Sequence, residues 1–448
     1  MSDINIRALV ADSLLEMEKS GVFLSVIESA VLGKYEYIDA KDKAFYKRLM
    51  DGTTEERIRI DYILGLFSST KINKLKPYIR AVLRMSIYQI MCMDTVPDSA
   101  ACNEAVKLIK KSGQAGLSGF VNGVLRNISR NKDNIKYPDK TKDWIRYASI
   151  VYSCPEWIVR RLTKEYGQSE VEGILEASIM DKPVSVRLRV EGTALKALES
   201  KWREAGITVE TNPHIEYARL LSGTGAIPSM AGFDSGEFVV QDTGSMMVAH
   251  MAGIKAGDVI MDVCAAPGGK SMHAADILCK LEEKDNTNKP GIVYSYDVSP
   301  DKCIRIEENI ARLNLTNIKV DAHDATILID DMVESADVVI VDAPCSGLGV
   351  IGHKSDIKYR VQEEDIESLS KIQRSILDTA VKYVKPGGRL VYSTCTISRM
   401  ENDEQVKYLK ERYSYELVDT SNVPNPYQLI PGKDKSDGFY VAVLEKKA

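Results

Sequence analysis

The sequence predicts a multidomain protein: an all-α N-terminal region, a small α+β module, and a C-terminal α/β domain with a mostly parallel sheet of seven strands. At 448 residues the chain is too long to fold around one ordinary core. Apolar residues recur at helical spacing up to about residue 134, whereas short β-branched runs alternate with helical stretches after about residue 236. The second pattern is typical of βαβ units, which build a parallel sheet.

We expect residues 1–134 to form a helical domain. Apolar residues three and four positions apart give each predicted helix one face that packs on a core. Such spacing occurs in Ile6–Leu15, Tyr62–Phe67, Ile79–Met91, Asn103–Lys111 and Gly119–Asn127.

The helical region is basic although the whole chain has a net charge of −5. Between Lys71 and Lys136 there are twelve Lys and Arg residues against four Asp and Glu residues. A local positive charge of this size attracts a polyanion such as a nucleic acid. It is also found on the solvated face of an ordinary helical bundle, and composition leaves both interpretations open.

Residues 135–235 are expected to form the small α+β module. A helix is predicted from Pro155 to Ala177, and alternating residue types predict a strand at Val184–Val190. A helix at Leu195–Ala205 and strands at Ile207–Val209 and Ala218–Leu221 follow. The arginines of the first strand are expected on a solvent-facing side of the sheet rather than on an RNA-facing one.

Residues 236–448 are expected to form the doubly wound α/β domain. Strands are predicted at 258–263, 291–297, 317–321, 337–341 and 388–393, and helices at 270–281, 300–313 and 366–384. The strand in Gly438–Leu444 is expected to add an antiparallel edge. The polar tract Glu282–Lys289 predicts a loop.

Composition narrows the class of protein. The eight cysteines form no C-x-x-C pair, which disfavours a zinc site and a disulfide scaffold and fits a reducing cytosol. No apolar run reaches the length of a membrane span, and the N-terminus lacks the apolar stretch of a signal peptide. We therefore expect a cytoplasmic protein without a metal and without a membrane partner.

A cofactor site is predicted where the strand beginning at Val259 turns into a helix near Lys270. The turn lacks both G-x-G-x-x-G and the P-loop lysine spacing, which disfavours NAD and ATP. Asp297 ends the next strand, where an acid can accept hydrogen bonds from ribose hydroxyls, and Asp324 follows the strand after it. Together they predict an adenosine-containing ligand without a polyphosphate, namely S-adenosylmethionine. Each aspartate taken alone is as well explained as a helix cap.

Two cysteines and a carboxylate predict the chemistry. Asp342 and Cys345 follow one predicted strand and Cys395 follows another, and carboxyl ends of parallel strands meet at one sheet edge. A lone cysteine is usually a small buried apolar residue, but two at adjacent strand ends favour a site. Methylation of carbon five of a pyrimidine needs a thiolate that adds to carbon six and a base that removes the proton from carbon five. The target base must be single-stranded or flipped out.

Three segments, Asp262–Ser271, Asp342–Gly349 and Ser393–Cys395, closely resemble the signature motifs of RNA cytosine-C5 methyltransferases of the Nol1/Nop2/Sun type. The helical N-terminus is similar to the NusB-like domain of the bacterial Sun (RsmB, Fmu) branch, which methylates 16S ribosomal RNA. The resemblance covers essentially the whole chain. It implies a NusB-like domain, an RRM-like small module, and a Rossmann-like class I methyltransferase domain that uses S-adenosylmethionine.

The resemblance also implies roles for individual residues. Cys395 is the nucleophile, Cys345 assists product release as a general acid or base, and Asp342 positions the cytosine. The resemblance decides between the thiols, because DNA cytosine methyltransferases attack with the Pro-Cys thiol instead. The implied cofactor contacts are Cys264, Ala265, Ala266, Pro267, Gly268, Gly269, Lys270, Asp297, Asp324 and Asp342. Departures from the family's pattern fall in Gly347–Gly349 and in the 282–289 insertion, which are expected to tolerate change.

The implied partner is 16S ribosomal RNA, either free or in an early assembly intermediate of the small subunit, bound by a monomer. Two other functions are considered. The same chemistry could act on transfer RNA or on the large ribosomal subunit, against which the N-terminal domain argues only by resemblance. The chain could instead be an RNA-binding assembly factor with a vestigial catalytic half, against which the presence of both Cys345 and Cys395 argues.

Overall fold

A computed structural model of the protein describes residues 4–180, 182–285, 290–420 and 423–447. The chain divides into two compact units. The first contains the residues up to Ile179 together with Lys354–Arg360, and the second contains Met180–His353 and the chain from Val361 onward.

The first unit is built from helices. They are α1 Ile6–Ser20, α2 Leu24–Lys34, α3 Ala40–Glu55, α4 Arg57–Phe67, α5 Pro77–Cys92, α6 Asp98–Lys111, α7 Ser118–Asn131, α8 Trp144–Val151, α9 Glu156–Tyr166 and α10 Gln168–Ser178. Helix α5 is buried along most of its length and packs against α1, α3, α4, α6 and α7. The predicted all-α N-terminal region is confirmed.

The division differs from the predicted boundary after residue 134. Helices α8, α9 and α10 lie in the range assigned to the middle module, yet they belong to the first unit because α8 packs on α4 and α9 packs on both α8 and α10. The single helix predicted from Pro155 to Ala177 is two helices, which are interrupted at Gly167, whose φ is +82°.

The second unit begins with an antiparallel four-stranded sheet. Its strands are β1 Val184–Leu188, β2 Thr208–Thr211, β3 Ala218–Ser222 and β4 Phe238–Val240, in the order β2-β3-β1-β4, and helix α11 covers Gly192–Glu204. Trp202 of α11 packs edge-on against Phe238 of β4. Strand β4 lies beyond the predicted module boundary at residue 235, and its three residues were too short a run to predict.

The larger sheet contains eight strands. They are β5 Val259–Asp262, β6 Ile292–Asp297, β7 Ile318–Ala322, β8 Ala336–Asp342, β9 Val384–Thr394, β10 Tyr415–Leu417, β11 Tyr427–Leu429 and β12 Phe439–Lys446. Seven of them follow the order β10-β12-β9-β8-β5-β6-β7, and β11 pairs beside β12. The strands from β9 to β7 are parallel, and β12 is antiparallel to β9. The mostly parallel sheet is confirmed, with one short strand added.

Helices cover both faces of this sheet. They are α12 Thr243–Met251, α13 Gly269–Asp285, α14 Pro300–Leu313, α15 Glu363–Tyr383 and α16 Asp403–Tyr413. Residues that alternate along β8 serve two cores: Val338 and Ile340 pack with α12 and α13, whereas Val339 and Val341 pack with α15 and α16. Burial on both faces explains why these strands read as continuous apolar runs.

Two predictions for this unit are corrected. Arg187 is 2% exposed rather than solvent-facing, because its guanidinium lies 2.5 Å from the Asp276 carboxylate of α13, which Arg189 also contacts at 2.9 Å. The first residues of the predicted loop Glu282–Lys289 are the last turn of α13, and residues 286–289 lie outside the described residues.

In the described part of the chain, no helix has the length and apolar character needed to cross a membrane.

Candidate active site

A buried carboxylate anchors the turn between β5 and α13. Asp262 ends β5, and its Oδ2 accepts a hydrogen bond from the Ser271 hydroxyl at 2.7 Å. Ser271 in turn accepts one from Ser295 of β6 at 2.6 Å. Burial raises the pKa of Asp262 to about 6. This chain of hydrogen bonds fixes the start of α13 against two neighbouring strands.

The turn itself closes on Asp297 at the end of β6. The Ala266 N–H donates to Asp297 Oδ2 and the Ser299 N–H donates to Oδ1, both at 3.1 Å. Gly268 has a φ of +93°, and a Cβ there would lie 2.9 Å from Ile306. A glycine is therefore required by conformation and by space. The predicted turn 264–270 and Asp297 are thus brought together.

Asp324 is placed differently. It is exposed in the loop after β7, and its Oδ1 accepts hydrogen bonds from the Thr326 N–H at 2.9 Å and the Thr326 hydroxyl at 2.7 Å. These two bonds lower the pKa of Asp324. In the described part of the chain its side-chain hydrogen bonds stay within its own turn, and no helix begins there, so Asp324 forms an Asx turn rather than a helix cap.

Asp342 joins the turn to the strand ends. Its Oδ2 pairs with Lys270 Nζ at 2.6 Å, and its Oδ1 accepts the Ser393 hydroxyl at 2.8 Å. Burial acts to lower the pKa of Lys270, but Asp342, Asp262 and Cys395 outweigh burial and raise it. The Lys270 ammonium therefore stays charged beside the carboxylate and beside Cys395.

The two thiols meet at the carboxyl ends of β8 and β9. These strands are parallel neighbours with Asp342 opposite Ser393, so the chain that leaves each strand delivers a cysteine to the same place. The Sγ atoms of Cys345 and Cys395 are 3.3 Å apart, and both residues are partly exposed. The hydrogen bond to Cys395 and burial hold the pKa of Cys345 well above its ordinary value. A carboxylate, an ammonium and two thiols thus converge on one sheet edge.

The residues that hold these thiols were not predicted from the sequence. Glu401 is completely buried and accepts hydrogen bonds from the Ser346 N–H at 2.8 Å and the Ser346 hydroxyl at 2.6 Å. Asn402 accepts one from the Thr394 hydroxyl at 2.6 Å and donates to the Thr396 carbonyl oxygen at 3.0 Å. The signal was a Glu-Asn pair a few residues beyond Cys395. The partner of Glu401, Ser346, lies 55 residues away and is brought near only by the fold, whereas Asn402 bonds residues close to it in sequence.

The prediction that Gly347–Gly349 tolerates change is wrong at Gly349. The Gly349 N–H donates to the Cys395 carbonyl oxygen at 3.1 Å, and the Gly438 N–H donates to the Gly349 carbonyl oxygen at 2.9 Å. A Cβ at Gly349 would collide with the Gly438 backbone and lie 2.8 Å from the Cys395 carbonyl oxygen. Gly349 therefore allows three backbone segments to approach one another beside the thiols.

Replacing Gly349 with alanine is expected to lower the free energy of unfolding by about 3 kcal/mol, because the backbone must shift to admit the methyl group. Denaturant unfolding measures this change. The control is Gly119→Ala in α7, where a Cβ meets no atom within 4 Å. Equal midpoints for Gly349→Ala and the unmodified protein would contradict the packing argument.

The described residues contain no group of three His, Cys, Asp or Glu side chains that could hold a metal ion. The side chains at this sheet edge can themselves carry out several chemical steps. A thiol can add to an electrophilic carbon, the second thiol or a carboxylate can move a proton, and Lys270 can stabilise negative charge.

Three family models match the chain. The family described as 16S rRNA methyltransferase RsmB/F matches residues 249–445. The NusB family matches residues 4–130, and the ferredoxin-like domain of RsmF/B-like methyltransferases matches residues 154–227. The last match agrees with the strand order of the four-stranded sheet.

Whole proteins are also similar to the chain over its full length. The "Probable ribosomal RNA small subunit methyltransferase B" of Bacillus subtilis (strain 168) is 34% identical over 461 residues and covers 100% of both chains. The "Ribosomal RNA small subunit methyltransferase B" of Vibrio cholerae is 29% identical, covering 99% of this chain and 98% of that one. The crystal structure of PH0851 has the same fold, with a TM-score of 0.80, 22% identity and 99% coverage of each chain. NSun6 from Pyrococcus horikoshii, solved with SFG, has a TM-score of 0.57 at 22% identity and covers 66% of this chain and 98% of that one.

Proposed function

Because the chain belongs to the RsmB/F family of 16S rRNA methyltransferases, we propose that it methylates carbon five of a cytosine in small-subunit ribosomal RNA with S-adenosylmethionine as the donor. The observation that carries the proposal is the 3.3 Å approach of the Cys345 and Cys395 sulfur atoms beside Asp342. A methyl transfer to nitrogen or oxygen needs no such pair of thiols, whereas addition to a pyrimidine ring uses both.

The cofactor is proposed to lie against the turn after β5. The small residues of Cys264–Gly268 leave the backbone open to a ligand. The positive φ of Gly268 supports this fit, because it favours glycine, which has no side chain to fill the turn. Each Asp297 oxygen accepts one backbone N–H, and a carboxylate oxygen has further lone pairs for ribose hydroxyls. When bound, S-adenosylmethionine supplies an electrophilic methyl group.

Cys395 is proposed as the nucleophile. Lys270 interacts electrostatically with Cys395, and a neighbouring ammonium favours the thiolate form that attacks. The thiolate adds to carbon six of the cytosine, forming a carbon–sulfur bond and raising electron density at carbon five. Asp342, held by Lys270 and Ser393, is proposed to position the ring by its hydrogen-bonding edge.

Cys345 is proposed to complete the reaction. After methylation, carbon five still carries a proton that must leave. Once Cys395 is bonded to the ring, its hydrogen bond no longer raises the pKa of Cys345, and the Cys345 thiol loses its proton to solvent. The resulting thiolate takes the proton of carbon five, the electrons of the carbon–hydrogen bond restore the double bond between carbons five and six, and the carbon–sulfur electrons leave with Cys395 as thiolate. The two thiols must both reach one ring, which their separation permits.

Methyl transfer from labelled S-adenosylmethionine to purified 16S, 23S and transfer RNA tests the function. We expect label in 16S ribosomal RNA, and bisulfite sequencing is expected to locate it at a single cytosine. Label in 23S or transfer RNA instead would favour the second substrate class. Cofactor binding without transfer to any RNA would favour an assembly factor and contradict the proposal.

The helical unit is proposed to bind the RNA backbone. Of the basic residues between 71 and 136, Arg80, Arg84, Lys107 and Lys132 make ion pairs with acidic side chains. The others are exposed, and none has an ion-pair partner among the described residues. They are Lys71, Lys74, Lys76, Lys110, Lys111, Arg126, Arg130 and Lys136. Uncompensated positive charges of this kind suit a phosphate backbone.

RNA affinity is expected to fall as salt rises, and the double substitution Lys110→Ala/Lys111→Ala should reduce the slope of log affinity against log salt by about 1.5. Filter binding to 16S ribosomal RNA between low and physiological salt measures the slope. The control is Lys407→Ala/Lys410→Ala on α16, which removes equal charge from another surface. An unchanged slope in the first variant would mean that this patch does not contact phosphate.

A ribosomal RNA substrate is consistent with the predicted cytoplasmic location and monomeric state, which stay predictions. The limits at 1–134, 135–235 and 236–448 stay a prediction for the functional domains, whereas the compact units of the structure divide after Ile179. Whether the RNA is free or part of an assembling subunit is addressed by the same transfer assay with both forms as substrate.

A further inference from the structure

Glu401 lies under the two thiol-bearing segments and contacts both of them. Its Oε1 accepts the Ser346 N–H at 2.8 Å and the Gln373 amide at 3.2 Å, and its Oε2 accepts the Ser346 hydroxyl at 2.6 Å. The Thr396 hydroxyl lies 3.4 Å from the same Oε2. Burial raises the pKa of Glu401, whereas the three donors from Ser346 and Gln373 act to lower it and favour the ionised carboxylate.

The two hydroxyl residues that contact Glu401 are each next to a cysteine in sequence. Ser346 follows Cys345 and Thr396 follows Cys395, and their hydroxyl oxygens are 2.8 Å apart. Gln373 of α15 also donates to the Pro344 carbonyl oxygen at 3.0 Å, on the other side of Cys345. The Cys345 segment is thus held on both sides through contacts that converge on Glu401.

We propose that Glu401 is a positioning residue for the reaction described above. Glu401 holds Cys345 where this thiol can take the proton from carbon five, whereas attack by Cys395 and cofactor binding depend on other groups. The inference rests on the proposed function and extends it. Cys395 has a second anchor that does not depend on Glu401, because Asn402 bonds Thr394 and Thr396 on either side of it. Loss of the Glu401 contacts should therefore loosen Cys345 more than Cys395.

The charge of Glu401 acts on Cys345 as well. The charged and titratable groups that act on Cys345 are Cys395 directly after β9, Asp342 at the end of β8 and Glu401 itself. Tyr392 of β9 lies near both Glu401 and Cys345. The Cys395 hydrogen bond and burial raise the pKa of Cys345 most, and Glu401 adds to them. Once Cys395 is bonded to the cytosine, its thiol hydrogen bond is gone and Glu401 becomes relatively more important. Removing the Glu401 charge should then lower the pKa of Cys345.

The test compares Glu401→Gln, Glu401→Asp and the surface control Glu404→Gln. Quenched samples on denaturing gels give the rates at which the protein–RNA adduct forms and disappears across a pH range. For Glu401→Gln we expect formation within about threefold of the unmodified protein and disappearance about tenfold slower, since an amide cannot accept both Ser346 donors without loss. The acid limb of the disappearance rate should also move to lower pH by about 0.5 to 1 unit.

Glu401→Asp retains the charge but is too short to reach Ser346. The Glu401→Asp variant should therefore slow disappearance of the adduct, but the acid limb of the disappearance rate should stay at the same pH. A purely structural role would not produce this difference between the Asp and Gln variants. Glu404→Gln should change neither. The inference is overturned if the acid limb of Glu401→Gln coincides with that of the unmodified protein, or if formation slows as much as disappearance. Failure of the unmodified protein to form any adduct would instead overturn the proposed function.

Discussion

Replacing Cys395 with serine is expected to abolish methyl transfer to ribosomal RNA, with a loss of about 10³-fold or more in rate, while binding of S-adenosylmethionine is retained. The serine hydroxyl is almost fully protonated at neutral pH, so it cannot add to carbon six as a thiolate does. The cofactor turn is stabilised by Asp262 and Asp297 rather than by Cys395, so it should keep its shape.

Single-turnover transfer of labelled methyl groups and calorimetric titration of the cofactor measure the two parts of this expectation. Cys279→Ser is the matched control, because Cys279 is a partly exposed cysteine on α13 that takes no part in the site. Full turnover by the Cys395 variant would remove its assignment as nucleophile. Equal loss in the Cys279 variant would point to damage to the fold.

The positions of the site residues along the sheet could be predicted from the sequence because strand ends are local features. A β-branched run that stops at Asp342 or near Cys395 shows where a strand leaves the sheet, and parallel pairing brings such ends to one edge. The sequence pattern therefore located the edge. The 3.3 Å separation of the sulfur atoms depends on the register between β8 and β9, which no single segment encodes.

Glu401 and Gly349 could not be predicted as supporting residues, because each one acts through a partner that is distant in sequence. Glu401 is 55 residues from Ser346, and Gly349 is constrained by the Gly438 backbone. Read locally, Glu401 is an acid before a helix and Gly349 is one glycine of a loop. Only the fold turns the first into a buried acceptor and the second into a point of close backbone contact.

Arg187 illustrates the same limit for charged residues. Alternation along β1 predicted a solvent-facing side chain, and that rule holds when nothing covers the sheet. Here Asp276 of α13 lies against the strand and pairs with both Arg187 and Arg189. A paired arginine can be buried because the partner's charge offsets the cost of removing it from water.

Replacing Cys345 with alanine is expected to trap the protein on its RNA as a covalent adduct. In the proposed mechanism, attack by Cys395 and methylation of carbon five do not require Cys345, whereas removal of the remaining proton does. Without that step the carbon–sulfur bond cannot break at its normal rate, so the adduct should persist at least about 100-fold longer. A slowly migrating band on denaturing gels, dependent on both RNA and S-adenosylmethionine, measures the trapped species.

The double substitution Cys345→Ala/Cys395→Ser separates this explanation from tight non-covalent binding. If the trapped species is a bond to Cys395, the double variant forms none, although it should bind RNA as the single variant does. Asp342, which is proposed to position the same ring, is the other carboxylate that could accept the proton. Rapid decay of the adduct in Cys345→Ala would therefore assign the proton transfer to Asp342 or to solvent. In that case the proximity of the two thiols would need a purpose other than product release.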